Sequence, residues 1–349
     1  MKQRLTALIL LCTLLTGCAA AGKGEQPLTA TVLAMDTVMN FTLYGGGMGE
    51  EQLRQALGGA EDTLRQLDAA LTAQGAEGEA AALNAADGQW TAVPQSGALL
   101  EQTLALAELT GGALDPTAYA AVKAWGFVDG NYTVPDQEEL DALKIAIDYT
   151  QVEVSEDGAQ ARLAPGQQID FGATAKGYAG DLLRRQLEQG GITSALLDLG
   201  QSSIAAVGSK PDGSPWRIGI QDPAADSGVY LGVLELSGRS MGTSGSYQRY
   251  FDRDGVRYCH IIDPATASPA RSGLAGVTVV ADSCLLCDGL STALFVMGLE
   301  DGVRFWRENS GLEFDVIFVT DAGEIFVTSG LKDSFTLADG ETREVQVLE

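Results

Sequence analysis

Three short stretches concentrate the residue types able to do chemistry. The densest is Asp170-Phe171-Gly172-Ala173-Thr174-Ala175-Lys176-Gly177-Tyr178-Ala179, which runs from a strand end through small residues into a helical pattern. Small residues let a ligand approach the backbone, and a helix start offers free N–H groups and a positive dipole end to a phosphate. Lys176 adds a formal charge there, although the spacing of a nucleotide P-loop is absent and a tight strand-to-helix turn explains the same residues. The second stretch, Cys259-His260-Ile261-Ile262-Asp263-Pro264, places the chain's one histidine before an Asp-Pro turn, as a general base or as a structural ring. In the third, Asp288-Gly289-Leu290-Ser291-Thr292, a carboxylate and a hydroxyl four residues apart share one helix face. They suit a hard cation such as Mg²⁺, or equally an N-cap and a solvated threonine.

Composition narrows the choice. The 349 residues are 45% hydrophobic and 20% charged, enough for a sizeable core. At ~150 residues per domain, this length allows two domains or one large α+β unit. With 22 Lys+Arg against 47 Asp+Glu the net charge is −25, a field that repels polyanions and excludes nucleic-acid binding as a main function. A single histidine excludes zinc sites built from two or three imidazoles. The 43 glycines fall singly between apolar runs, a pattern of turns and close backbone approaches rather than disorder.

The elements that must position these stretches follow from periodicity. Thr37 to Tyr44 alternates as a half-buried strand. Leu53, Leu57, Leu64, Leu67 and Leu71 mark a long amphipathic helix. Further helices are expected over Ser96 to Leu109, from an Asp136/Glu139 cap through Ile147, over Thr174 to Gln189, and over Asp288 to Met297. Strands are expected at Ser194 to Leu199, Trp216 to Gln221, Tyr230 to Leu236 and Gly276 to Ala281. Two hairpins join Tyr247–Phe251 to Val256–Ile262 around Asp254-Gly255, and Phe314–Val319 to Glu324–Val327 around Asp321-Ala322-Gly323. Tight hairpins mixed with non-alternating helices favour an α+β fold, with a mostly antiparallel sheet and flanking helices, over a doubly wound parallel one.

At the N-terminus, Lys2 and Arg4 precede an apolar run from Leu5 to Leu15 that is too short for a stable span. The ending Leu15-Thr16-Gly17-Cys18 resembles a bacterial lipobox, so residues 1–17 read as a lipoprotein signal peptide, with Cys18 lipidated after cleavage. Residues 18–29 read as a tether and residues 30–349 as one folded domain on the extracytoplasmic face of the bacterial cell membrane. Cleavage removes two positive charges and no negative one, taking −25 to −27. Cys284-Leu285-Leu286-Cys287 has CxxC spacing but no second pair for a zinc or iron–sulfur site, so buried free thiols or a structural disulfide are expected.

The order and wording of seven motifs resemble the ApbE family of FAD:protein FMN transferases. They are Met35-Asp36-Thr37; Leu114-Asp115-Pro116-Thr117 with Trp125-Gly126-Phe127; the Asp170–Ala179 stretch; Trp216 to Pro223; Thr243-Ser244-Gly245-Ser246-Tyr247; His260 to Pro264; and Asp288 to Ala293. The resemblance implies a T-fold-like α+β architecture and an exported, often lipid-anchored enzyme. It implies FAD against Met35, Ala113, Leu114, Asp115, Asp170, Lys176 and Ile262. It also implies a Mg²⁺ or Mn²⁺ ion on the main-chain carbonyl of Ala173 and on Asp288 and Thr292, with Ser291 beside them. The implied reaction moves FMN from FAD to a Thr or Ser hydroxyl of an exported acceptor protein and releases AMP. His260 is the available imidazole base for that hydroxyl, with Asp263 as an alternative base or an orienting partner. FAD hydrolysis to FMN and AMP, or flavin binding without turnover, are the competing readings. Three departures stand out: Gln74 where the family has a flavin-covering tyrosine, leaving another aromatic such as Tyr119 to serve; Gly200-Gln201-Ser202 for Gly-Gly-Asp; and Ala267-Ser268-Pro269 for Thr-Gly-x-Pro.

Overall fold

The computed structural model describes residues 26–75 and 77–349, so the signal-peptide reading, Cys18 and the tether through residue 25 lie outside the described residues. A nine-stranded sheet organises the rest, and its strands lie side by side in chain order. They are β1 (Leu28–Ala34), β2 (Thr37–Tyr44), β3 (Ser194–Asp198), β4 (Ser203–Val207), β5 (Ser240–Gly245), β6 (Leu274–Ala281), β7 (Asp315–Thr320), β8 (Ile325–Thr328) and β9 (Val345–Leu348). Neighbours are antiparallel except β8 and β9, which agrees with the α+β expectation. Strand β1 begins inside the stretch read as tether: Leu28 and Thr29 pair with Leu43 and Thr42.

Alternation in the strands separates two layers. Ala205 and Val207 of β4, and Val277 and Val279 of β6, face the helices. Ile204, Ala206 and Val280 face a second, three-stranded sheet of Trp216–Gln221, Tyr230–Leu236 and Phe335–Leu337. The helices are α1 (Glu50–Leu71), α2 (Glu79–Ala85), α3 (Gly97–Leu109), α4 (Tyr119–Ala124), α5 (Gln137–Ala146), α6 (Ala175–Gln189) and α7 (Cys284–Glu308). The periodic leucines of α1 are buried against Met39, Phe41 and Leu43 of β2 and Leu183 and Leu187 of α6. Asp136 caps α5 as expected, accepting from Glu139 N–H at 3.0 Å. Helix α7 runs well past the expected Asp288–Met297 segment because its chain breaks helical geometry only at Gly298 (φ 83°) and then resumes.

Most of what the site needs sits in insertions between sheet strands, with Ser203 of β4 and Ser244 of β5 added from the sheet itself. The helical region lies between β2 and β3, a small hairpin between β5 and β6, and α7 between β6 and β7. That hairpin pairs Tyr250–Arg253 with Val256–Cys259 around Asp254-Gly255, both at positive φ. Its second strand stops one residue before His260 instead of running to Ile262. The hairpin is held by packed rings: Phe251 stacks on Tyr258 (5.0 Å between centroids) and on Tyr132 (4.9 Å), and Trp125 lies tilted 5.1 Å from Tyr258.

Candidate active site

The N-termini of α6 and α7 meet each other, with the first turn of α7 against the start of β5. Gly177 makes this possible: a Cβ there would lie 2.4 Å from the Cys284 carbonyl oxygen, so only glycine lets α6 sit on the first turn of α7. Asp181, buried on α6, caps α7 by accepting from Cys284 N–H (2.8 Å), Leu285 N–H (3.1 Å) and the Ser283 hydroxyl (2.6 Å). Asp288, one turn on, accepts from Gly177 N–H at 2.7 Å. The two helices are therefore locked by reciprocal carboxylate–amide bonds.

In front of this junction lies a cleft of about 1120 Å³, its open mouth included. Ala113, Leu114, Asp115, Asp170, Ala173, Lys176, His260, Ile262, Asp288, Ser291 and Thr292 all line it, so most of the residues singled out in the sequence come together. Met35 and Asp263 do not line it. Met35 and Asp36 form the two-residue β1–β2 turn, both at positive φ (49° and 57°), and Asp68 holds the turn by accepting from Met35 N–H at 2.8 Å. Asp263 accepts from Ala265 N–H (2.9 Å) and the Thr266 hydroxyl (3.1 Å), so both carboxylate oxygens are committed to its own turn, which weighs against a base.

Burial without full pairing sets the electrostatics. The Asp288 carboxyl is pushed up to about 6 by burial, against the pull of Lys176. Burial also raises Asp170 to about 6, against its bond from Gly172 N–H and the charge of Arg249. His260 is driven down to about 4 by burial and then by the charge of Arg249, so its ring is neutral at pH 7. Nδ1 of that ring lies 3.2 Å from the Arg249 carbonyl, which can only accept, so Nδ1 carries the proton and Nε2 the free lone pair. Asp115 lines the cleft, but its oxygens accept from Thr117 N–H (2.8 Å), the Thr117 hydroxyl (2.6 Å) and Tyr149 N–H (3.0 Å), which ties the wall loop to the start of the next. The Ser203 hydroxyl is buried in the cleft wall near Asp288 and has no partner within hydrogen-bond distance among the described residues.

The family profile described as "ApbE family" matches residues 35–316. The chain belongs to the ApbE family. A curated FAD:protein FMN transferase of Treponema pallidum (strain Nichols) is 35% identical over 292 residues, covering 79% of this chain and 80% of its own. One of Klebsiella pneumoniae (strain 342) is 32% identical over 332 residues, 92% of this chain and 93% of its own. The crystal structure of the ApbE protein of Thermotoga maritima shares the fold, with TM-score 0.81 and 28% identity over 88% of this chain and 99% of that one.

Against the usual ApbE motifs, the departures now have a structural setting. Ser202, where the family has Asp, receives the Lys176 ammonium, and Asp198 closes the turn by accepting from Gly200 N–H (3.1 Å) and Gln201 N–H (2.6 Å). Gln74 is exposed and does not line the cleft. Neither does Tyr119, which is 5% exposed with its hydroxyl 3.4 Å from the Ala73 carbonyl, so it does not stand in for the missing ring in this conformation. Sequence reasoning passed over Ser203, Ser244, Gln248 and Arg249 as individual residues, although all line the cleft and Ser244 lies inside a quoted motif. Arg249 carried no motif signal, and its role comes from reaching across the hairpin to the Phe127 carbonyl. Cys259, Cys284 and Cys287 are free and buried, and burial raises the CxxC thiols well above their usual range. A redox role for that pair has no support here, although it does sit at a helix N-terminus.

Proposed function

We propose that this ApbE-family chain transfers FMN from FAD to a Thr or Ser hydroxyl of an exported acceptor protein, releasing AMP, with Mg²⁺ as the metal and Mn²⁺ as a substitute. The observation that carries the reading is the convergence of Lys176, Asp288, Thr292 and a neutral His260 on one cleft. The donor set fits a hard cation: Asp288, Thr292 and the Ala173 carbonyl offer oxygen only, and no group of three His, Cys, Asp or Glu gathers among the described residues. A site with one carboxylate leaves coordination positions for water and substrate phosphate, as Mg²⁺ prefers. The orphaned Ser203 hydroxyl beside Asp288 is a further donor for a phosphate oxygen or a bound water.

Bound there, the ion offsets charge on the pyrophosphate oxygens and orients them. Lys176 adds a cation that lines the same cleft. His260 Nε2 accepts the acceptor hydroxyl's proton as the phosphoester forms at the flavin-side phosphorus and AMP departs. The Arg249 carbonyl keeps the ring in the tautomer this step needs. The Leu15–Cys18 lipobox supports export and lipid anchoring on the extracytoplasmic face, where the acceptor is found.

The test incubates the protein with FAD, Mg²⁺ and an exported flavoprotein. An acceptor mass gain of one FMN with equimolar AMP supports transfer. AMP with free FMN alone replaces the reading with hydrolysis, and no AMP replaces it with simple flavin binding.

A further inference from the structure

Strand β5 ends against α7 with three hydroxyls in contact. Ser244 Oγ lies 2.9 Å from Ser291 Oγ and 3.0 Å from Thr292 Oγ1, and Ser291 Oγ lies 2.9 Å from the Asp288 carbonyl oxygen. The direction of every bond follows from the last one. A carbonyl has no proton to give, so Ser291 spends its single proton on Asp288. Ser291 can then meet Ser244 only by accepting, so Ser244 spends its proton on Ser291. Ser244 in turn can meet Thr292 only by accepting, so the Thr292 hydroxyl donates to Ser244. With its proton fixed on that side, Thr292 Oγ1 has lone pairs left for the cleft that Thr292, Ser244, Ser291 and Asp288 line together.

We infer that Ser244 is a positioning residue for the cation. It does not coordinate the ion but holds the Thr292 proton away from it, so that Thr292 presents an oxygen lone pair. Ser291 anchors the chain and sets its sense instead of acting as a ligand. The inference rests on the reading of Asp288 and Thr292 as a Mg²⁺ site. Without Ser244 the Thr292 proton loses its acceptor and is free to rotate toward the cation, where an O–H dipole repels positive charge. Losing an orienting partner of this kind costs ~10–100-fold in metal affinity.

The experiment measures Mn²⁺ binding to the full chain in detergent, by electron paramagnetic resonance of free Mn²⁺, for the wild type, Ser244→Ala, Ser244→Thr, Ser291→Ala and the Ser244→Ala/Ser291→Ala double variant. Apo melting temperatures and FAD affinity without metal are recorded alongside as checks on folding. Ser244→Ala is expected to bind Mn²⁺ ~10–100-fold more weakly, with the same loss in KM for Mg²⁺ rather than in kcat, while Ser244→Thr, which keeps the hydroxyl, stays near wild type. The double variant is expected to be no worse than Ser244→Ala alone, because both changes break one chain. Unchanged Mn²⁺ affinity in Ser244→Ala overturns the inference, as does a double variant whose losses multiply, which would make Ser291 an independent ligand. A wild type that binds no divalent cation refutes the underlying site instead.

Discussion

Asp181 makes no contact with the cleft, yet the α6–α7 junction depends on it. Replacing it with alanine leaves Cys284 N–H and Leu285 N–H, both buried, without their acceptor, while the half-buried Ser283 hydroxyl can turn elsewhere. A buried donor left unsatisfied costs ~1–3 kcal/mol, so two give roughly 2–6 kcal/mol, reaching past the usual range for one substitution. An entropy of unfolding of ~2.1 cal/mol/K per residue, over a chain of this length, makes each kcal/mol worth about 1.4 °C, so Tm should fall by roughly 3–8 °C. The asparagine variant separates geometry from charge. Asp181→Asn keeps one oxygen for an amide and removes a negative charge that raises Asp288, so it should lose about half as much stability. Its Mg²⁺ affinity should stay close to that of the wild type, whereas Asp181→Ala, with the first turn of α7 loosened, should bind Mg²⁺ more weakly. Calorimetric melts of the metal-free protein, paired with Mg²⁺ titrations, read both effects. An alanine variant within 1 °C of wild type, or an asparagine variant as damaged as alanine, would refute the cap as the element that fixes α7.

Asp288→Ala should abolish Mg²⁺-stimulated AMP release, and full metal-dependent turnover in that variant would remove Asp288 from the site. His260→Ala should slow turnover by ~10²–10⁴-fold with little change in FAD affinity, and because the ring's pKa is about 4, the pH–rate profile should show no inflection at 6.5. Asp288 has a folded pKa of about 6, above its unfolded value of 3.8, so the metal-free protein favours the protonated carboxyl. That group's contribution to stability is retained below pH 3.8 and falls by about 3 kcal/mol as pH rises through 6, and Mg²⁺ at pH 7 should recover much of it in a thermal melt. Gly177→Ala places a Cβ 2.4 Å from the Cys284 carbonyl and should cost ~1–3 kcal/mol while weakening Mg²⁺ binding; a silent variant would mean the helices can slide apart freely.

Much of the fold could be read from periodicity, because the α1 leucines, the alternation of β2 and the turn signals at Asp254-Gly255 and Asp321-Ala322-Gly323 are local. Strand β1 was not legible for a local reason too. Its turn uses Met35-Asp36 in left-handed conformations that Asn-Gly would adopt more cheaply, and a partner 33 residues away, Asp68, holds them there. Strand β4 reads as a short apolar run after a departed motif, and only its pairing with β3 and β5 identifies it. In the site, the residues carried by motif wording were legible, whereas Asp181, Arg249 and the hydroxyl partner Ser244 act through contacts 40 or more residues away in most cases. Asp263, three residues past the single histidine, reads in the sequence as an alternative base or an orienting partner; in the structure each of its oxygens accepts one bond from its own Asp-Pro turn and it does not line the cleft.

Net charge and site charge pull in opposite directions in this molecule. A chain at −25 repels FAD, itself an anion, at long range, where screening is strongest. Attraction must therefore come from within the cleft, where Lys176 stands and its ammonium donates to the Ser202 hydroxyl instead of pairing with a carboxylate. A lysine paired with a hydroxyl keeps its full charge for a phosphate, whereas one paired with Asp is half neutralised before the ligand arrives. Asp288 is the carboxylate that remains near Lys176, and a bound cation reverses its effect on an anionic ligand. On the proposed reading, cation and FAD share one binding equilibrium, so stripping Mg²⁺ should weaken FAD binding by the same factor by which FAD removal weakens Mg²⁺ binding, and equal FAD affinity with and without Mg²⁺ in a titration would refute that coupling.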